Sequence, residues 1–187
     1  MTTTLQRSAG AVERWTLDGS HANVGFAVKH LMIAKVRGRF AEVRGTLWRD
    51  PDDLARSRVE VEIDAKSVDT REPKRDAHLR SPDFLDVERY PTLRFVSRRV
   101  VPRPEGTFDL IGDLTIRDVT REARLHVAEE GMVKDPWGGE RRGYSATTRI
   151  DRRDFGLTWN LALEAGGVTV GHEVEITLEL EWVKDAE

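Results

Sequence analysis

Hydrophobic and charged residues alternate along much of this chain. In residues 57–64, SRVEVEID, Val59, Val61 and Ile63 fall on one side and Arg58, Glu60 and Glu62 on the other. Successive strand side chains point to opposite faces, so this run predicts a strand with one face buried. Residues 172–183 extend the pattern, with Val174, Ile176, Leu178, Leu180 and Trp182 opposing Glu173, Glu175, Thr177, Glu179 and Glu181. Shorter versions are Val24, Phe26, Val28; Phe108, Leu110, Leu114, Ile116 with Gly112 between; Ala123, Leu125, Val127; and Tyr144, Ala146, Thr148, Ile150. With further strands over 37–49 and 91–101, the reading gives roughly eight strands. Gly38 and Gly45 are read as bends or bulges in the first of these two.

Most links between strands are short and hold Gly, Pro or Asp, as in Pro104-Glu105-Gly106, which suits antiparallel neighbours. The exception spans 66–90. There KRDAHLRS, residues 74–81, predicts one or two helical turns ended by Pro82, with a second turn at 83–86. Amphipathic strands with charged outer faces favour a closed barrel over a sandwich, because closure removes edge strands. An eight-stranded barrel is either filled by side chains or holds one small ligand. Residues 1–11 are expected to form a flexible tail, and 12–187 a single domain.

Composition narrows the function. Lys+Arg 30 against Asp+Glu 33 leaves a net charge of −3, without the positive field that nucleic-acid binding needs. The same balance gives no general attraction to an anionic membrane. With Cys 0, the chain has no disulfide, Cys-ligated metal or Cys nucleophile. No stretch reaches the ~20 apolar residues of a transmembrane helix, so stable membrane insertion is not expected. The opening MTTTLQRSAG lacks the apolar core of a secretory signal, and a cytoplasmic location is expected.

Four blocks are richer than strand patterning requires: HLMIAKVRGRF (30–40), RDAHLRSPDFLDVERYPTLRF (75–95), GDLTIRDVTREARL (112–125) and RRDFGLTWN (152–160). In this order they resemble the YceI-like family, over about residues 15–182. The resemblance implies an all-β fold, a lipocalin-like antiparallel eight-stranded β-barrel with a short helical excursion around 74–86. It also implies a bound polyisoprenoid lipid, such as an isoprenoid quinone or polyprenyl phosphate, and no required cofactor. The function expected is binding, carriage or sequestration of that long-chain isoprenoid molecule, with no enzymatic activity.

The residues themselves support a pocket. Leu31 and Met32 lie in an apolar patch at a strand end, and Phe84 and Leu85 in the helical excursion, where they are placed to cover an opening. Phe26, Leu31, Met32, Phe40, Phe84, Phe95 and Trp159 are the expected apolar lining. His30 and His78 are the expected head-group contacts, and Arg80 either grips an anionic head or pairs with Asp76, Asp83 or Asp86. Trp137, in the loop DPWGG, faces a ligand, pins a loop or meets a partner subunit, and a homodimer is possible. Arg141–Arg142 and Arg152–Arg153 are read as solvated surface. Two rivals remain: an enzyme acting on a small apolar molecule in the same cavity, and an interaction module with a filled barrel. No GxSxG, HExxH or Gly-rich phosphate loop supports the enzyme, and no His–carboxylate spacing selects a metal.

Overall fold

A computed structural model describes residues 11–186 except 165. In chain order the strands are β1 (Glu13–His30), β2 (Ala34–Phe40), β3 (Val43–Arg49), β4 (Arg58–Asp64), β5 (Val68–Asp69), β6 (Thr92–Pro102), β7 (Thr107–Ile116), β8 (Val119–Lys134), β9 (Glu140–Asp151) and β10 (Val170–Lys184), with the helix α1 (Pro73–Arg80) between β5 and β6. All pairings are antiparallel. The order β10-β9-β8-β7-β6-β4-β3-β1 closes through a β1–β10 ladder running from Trp15↔Lys184 to His30↔Val170.

The closed ring has eight strands because two of its strands are broken. β1 pairs with β3 along its first residues and with β2 along Val24–His30. The segment read as one strand over 37–49 is therefore two, interrupted at Ala41–Glu42. β4 and β5 repeat the break beside it, as β4 pairs with β3 and β5 with β2. Gly38 and Gly45 do not cause these bends, contrary to the expectation: both sit in regular register, opposite Phe26 and Val61. They are small because neighbours occupy the space. A Cβ on Gly38 would lie 2.5 Å from the Phe26 ring, and one on Gly45 2.9 Å from the Glu60 carbonyl oxygen.

True register slips lie elsewhere. Residues 18–21 of β1 bulge out opposite Glu181, and β6 slips between Ser97 and Arg99. The second slip lets Leu93, Phe95 and Val100 all face inward although their parity differs, since an inserted residue reverses the faces.

α1 starts one residue before the expected helix and ends one residue earlier. Glu72 caps it, accepting from Lys74 N (3.2 Å) and Arg75 N (2.5 Å), with Pro73 in the first turn, where its missing N–H costs nothing. Ser81 closes it before Pro82. A turn follows at residues 82–85, where a second turn was expected, with Asp86 after it at φ 48°. This excursion folds over one end of the barrel. Phe84, Leu85 and Val87 are buried there with Val68, Phe155 and Leu157, while a second buried cluster around Trp15, Phe108 and Trp182 occupies the other half.

Candidate functional site

The inward faces of the strands do not meet. They enclose a cavity of about 610 Å³, within the ~300–1,000 Å³ range of small-molecule sites. The inward set of β10, Val174 through Trp182, lines it along its length, as do Val59, Val61 and Ile63 of β4. The barrel is thus not filled, against the interaction-module reading. The cavity spans the barrel, from His30 and Val170 where β1 ends and β10 begins, to Arg49 and Leu54 beyond β3. Its middle is apolar. Its polar lining gathers toward the ends, with Lys29, His30, Lys74 and Arg75 near the helical excursion and Arg49, Arg58 and Tyr144 at the other.

Seven of the ten expected site residues line this cavity: Phe26, His30, Phe40, His78, Phe84, Phe95 and Trp159. Three aromatic rings form a tight set beside its upper end. His78 meets Trp159 edge-on at 4.6 Å between centroids and Phe84 edge-on at 5.0 Å, and Phe84 lies 5.4 Å from Trp159. Phe26 and Phe40 pack 5.7 Å apart on the neighbouring strands β1 and β2. The two edge-on contacts around His78 favour one orientation of its ring. His78 also shares a 2.8 Å hydrogen bond through Nε2 with Asp83 Oδ2, which fixes its ring.

Leu31, Met32 and Arg80 lie outside the lining. Leu31 and Met32 occupy the turn between β1 and β2, both with positive φ, and both are exposed. Arg80 neither faces the cavity nor pairs with an aspartate. Its Nε donates to the Lys66 carbonyl and its Nη2 to the Val68 carbonyl, each at 2.8 Å, so it ties α1 to β5. Asp76 is structural as well: it is buried and accepts from Thr70 N (2.9 Å) and Thr70 Oγ1 (2.5 Å).

The sequence reading missed the most buried cation beside the site. Arg152, read as surface, is 4% exposed and borders the cavity. Its guanidinium donates to four carbonyl oxygens: Gly171 (2.8 Å), Leu157 (2.5 Å), Trp159 (3.0 Å) and Val170 (3.2 Å). Five fixed N–H donors make arginine the side chain that can gather so many acceptors. Burial lowers its pKa, and the adjacent Asp151 is turned toward Arg153. Arg142 is likewise buried, against Glu129 and over the Trp15 ring. At the lower end Tyr144 was expected only as an inward strand residue. Burial raises its phenol pKa, with Glu129 adding to the effect.

Two arrangements bear on chemistry. The His78–Asp83 pair is an acid–base contact, but it lies at the mouth with both side chains substantially exposed (37% and 50%). Among the described residues, Asp18, His21 and Glu181 are close enough to share a metal ion. Arg141 already sits on this group, with Nη1 2.9 Å from Asp18 Oδ2 and paired with Glu181, so the carboxylates have a cation of their own.

Geometry and architecture define the class: a closed antiparallel barrel with an apolar ligand-sized interior. The YceI-like domain model matches residues 15–182, and the chain belongs to that family. It is 39% identical over 139 residues to a UPF0312 protein of Vibrio cholerae, covering 74% of each chain. The fold is similar to the crystal structure of Burkholderia cenocepacia BcnA, with a TM-score of 0.76 and 20% identity over 88% of this chain and 98% of that one. It is also similar to a structure from Saccharophagus degradans described as a polyisoprenoid binding domain, with a TM-score of 0.68 and 15% identity over 93% and 99% of the two chains.

Proposed function

We propose that this barrel binds a long-chain isoprenoid lipid, an isoprenoid quinone or a polyprenyl phosphate, and carries or sequesters it away from water. The observation that carries the reading is the apolar cavity running along the barrel. Each methylene removed from water there contributes roughly 0.8 kcal/mol, so even a partly buried tail binds well, less the cost of ordering it. The description of the S. degradans domain points to the same ligand class. In this reading Phe26, Phe40, Phe84, Phe95 and Trp159 surround the tail, and His30 and His78 meet the polar head at the end of the barrel they share. Binding rather than catalysis is favoured because Asp83, the carboxylate partner of His78, lies outside the lining and both side chains are substantially exposed.

Organic extracts of the purified protein, analysed by mass spectrometry, should contain an isoprenoid lipid. Titration of the delipidated protein with a quinone or polyprenyl phosphate series should saturate. An empty extract together with no saturable binding across both series would overturn the proposal.

A further inference from the structure

The lip of the cavity carries a feature that ligand binding alone does not require. Residues 19–41 contain no Asp or Glu, yet include Lys29, Lys35, Arg37 and Arg39. Charge on this hairpin is therefore one-sided, although the whole chain is near neutral. Its turn is unusual too. Leu31 has φ 50° and Met32 φ 61°, and Ile33 N donates to the His30 carbonyl at 3.2 Å. A hairpin turn with two positive φ angles favours Asn-Gly, because a Cβ makes that conformation costly. Here the two positions hold large apolar residues, and these are exposed: Leu31 by 38%, Met32 by 50%, and the next residue Ile33 by 87%.

One further exposed apolar residue is tied to the hairpin through the backbone. Leu161 is 58% exposed, and Thr169 joins it to the hairpin, its carbonyl accepting from Leu31 N and its N–H donating to the Leu161 carbonyl, each at 2.9 Å. Thr169, Val170, Lys29 and His30 all line the cavity. The exposed apolar cluster thus borders the opening itself.

We propose that this rim docks on the surface of an anionic lipid bilayer, and, on the reading that the cavity holds an isoprenoid, that it places the opening against the ligand's reservoir. Apolar side chains ringed by Lys and Arg partition into the headgroup boundary of anionic membranes, where each basic residue adds attraction. Lys35 is held by Glu175 at 2.7 Å and Arg39 lies 3.9 Å from Asp69, while Lys29 and Lys74 stand exposed at the lip. A turn built from Leu and Met holds two large apolar side chains at the rim at a conformational cost.

The test is vesicle flotation of the full chain without added ligand, using phosphatidylcholine vesicles with and without phosphatidylglycerol. The protein should float with the anionic vesicles and release partly at high salt. The double variant Leu31→Asn/Met32→Gly removes apolar surface and eases the turn, so it should fold at least as well. Together with Ile33→Asp, it should lower the bound fraction on the order of tenfold. Thermal melts check that each variant is folded. The proposal is overturned by a wild type that floats with neither vesicle, by variants that float as well as the wild type, or by a dimer in sedimentation that these substitutions dissolve. Isoprenoid binding in detergent micelles is measured separately. Its absence would end the ligand reading, whereas flotation alone decides the docking.

Discussion

At Gly112 the barrel wall has no room for one more carbon. A Cβ there would lie 2.4 Å from the Val96 carbonyl oxygen and 2.6 Å from the Phe95 ring. Backbone cannot yield as a flexible side chain does, so Gly112→Ala should cost about 1–3 kcal/mol, read as a lower denaturation midpoint. Asp109 is constrained differently. It is 1% exposed on the outer face of β7 and accepts from Arg103 Nε (3.0 Å), Arg124 Nη1 (2.9 Å) and His126 Nδ1 (2.7 Å). The hydrogen bonds from Arg103, then those from His126 and Arg124, hold its pKa down to about 2 against the opposing effect of burial. A folded value below the ordinary carboxylate value means that the charged form stabilises the fold. That contribution is complete above pH ~4 and is lost as pH falls through about 2. Melting temperatures of Asp109→Asn should therefore depend less steeply on pH across this window, and equal acid slopes in the two proteins would contradict the assignment. For His30→Phe and His78→Phe, each losing one proposed head-group bond, affinity should drop by on the order of 1 kcal/mol with chain-length preference unchanged. Unaltered affinity in both would make them structural. Candidates such as these two were legible from apolar neighbours in sequence. Their settings were not, since nothing local to His78 predicts the rings of Phe84 and Trp159 around it.

Between β9 and β10 the chain forms no long regular element among the described residues, and Arg152 organises it from within. With four carbonyls drawn to one guanidinium, Arg152→Met should leave acceptors unpaired at about 1–3 kcal/mol in total stability. The loss should appear first as faster amide exchange over 157–164 and 166–171, and Arg152→Lys should not restore it, because an ammonium lacks the planar fork. Exchange rates matching wild type in Arg152→Met would show that other contacts hold the segment. The sequence reading placed Arg152 on the surface because charge predicts exposure on average, and the carbonyls that satisfy it are supplied by the following segment's path, which residue type does not encode. Strand faces, in contrast, were legible: every inward residue read from β4 and β10 lines the cavity. Alternation assigns a face but not a slip, so the break at Ala41–Glu42 and the bulge at 18–21 escaped it. Sequence likewise marked Gly38 and Gly45 as special while misreading the cause, since the demand on them comes from Phe26 and Glu60 on other strands.

For the molecule as a whole, closure was predicted because it removes edges, and an unfilled interior was expected from the family resemblance and the apolar patches rather than from the alternation itself. How much space is left depends on how the inward side chains fit together around the ring, where Ala123 and Ala146 are small beside Phe95 and Trp182. This suggests a direct probe of capacity. Ala146 is 7% exposed and lines the cavity, so Ala146→Phe should block part of it. Across an isoprenoid series, long tails should lose affinity relative to short ones, and unchanged affinity at every length would show that the tail does not reach that level. Closure has a further consequence for how the chain is made. The seam joins the first strand to the last, and Thr16 Oγ1 donates to Asp185 Oδ1 across 169 residues of sequence. Contacts this distant form late and slowly. On the ribosome, β1 waits without its β10 partner until nearly the whole chain has emerged, with its free edge and the inward apolar face both exposed to whatever else is in solution. The apolar interior that the finished barrel encloses is thus, during synthesis, the surface most in need of shelter.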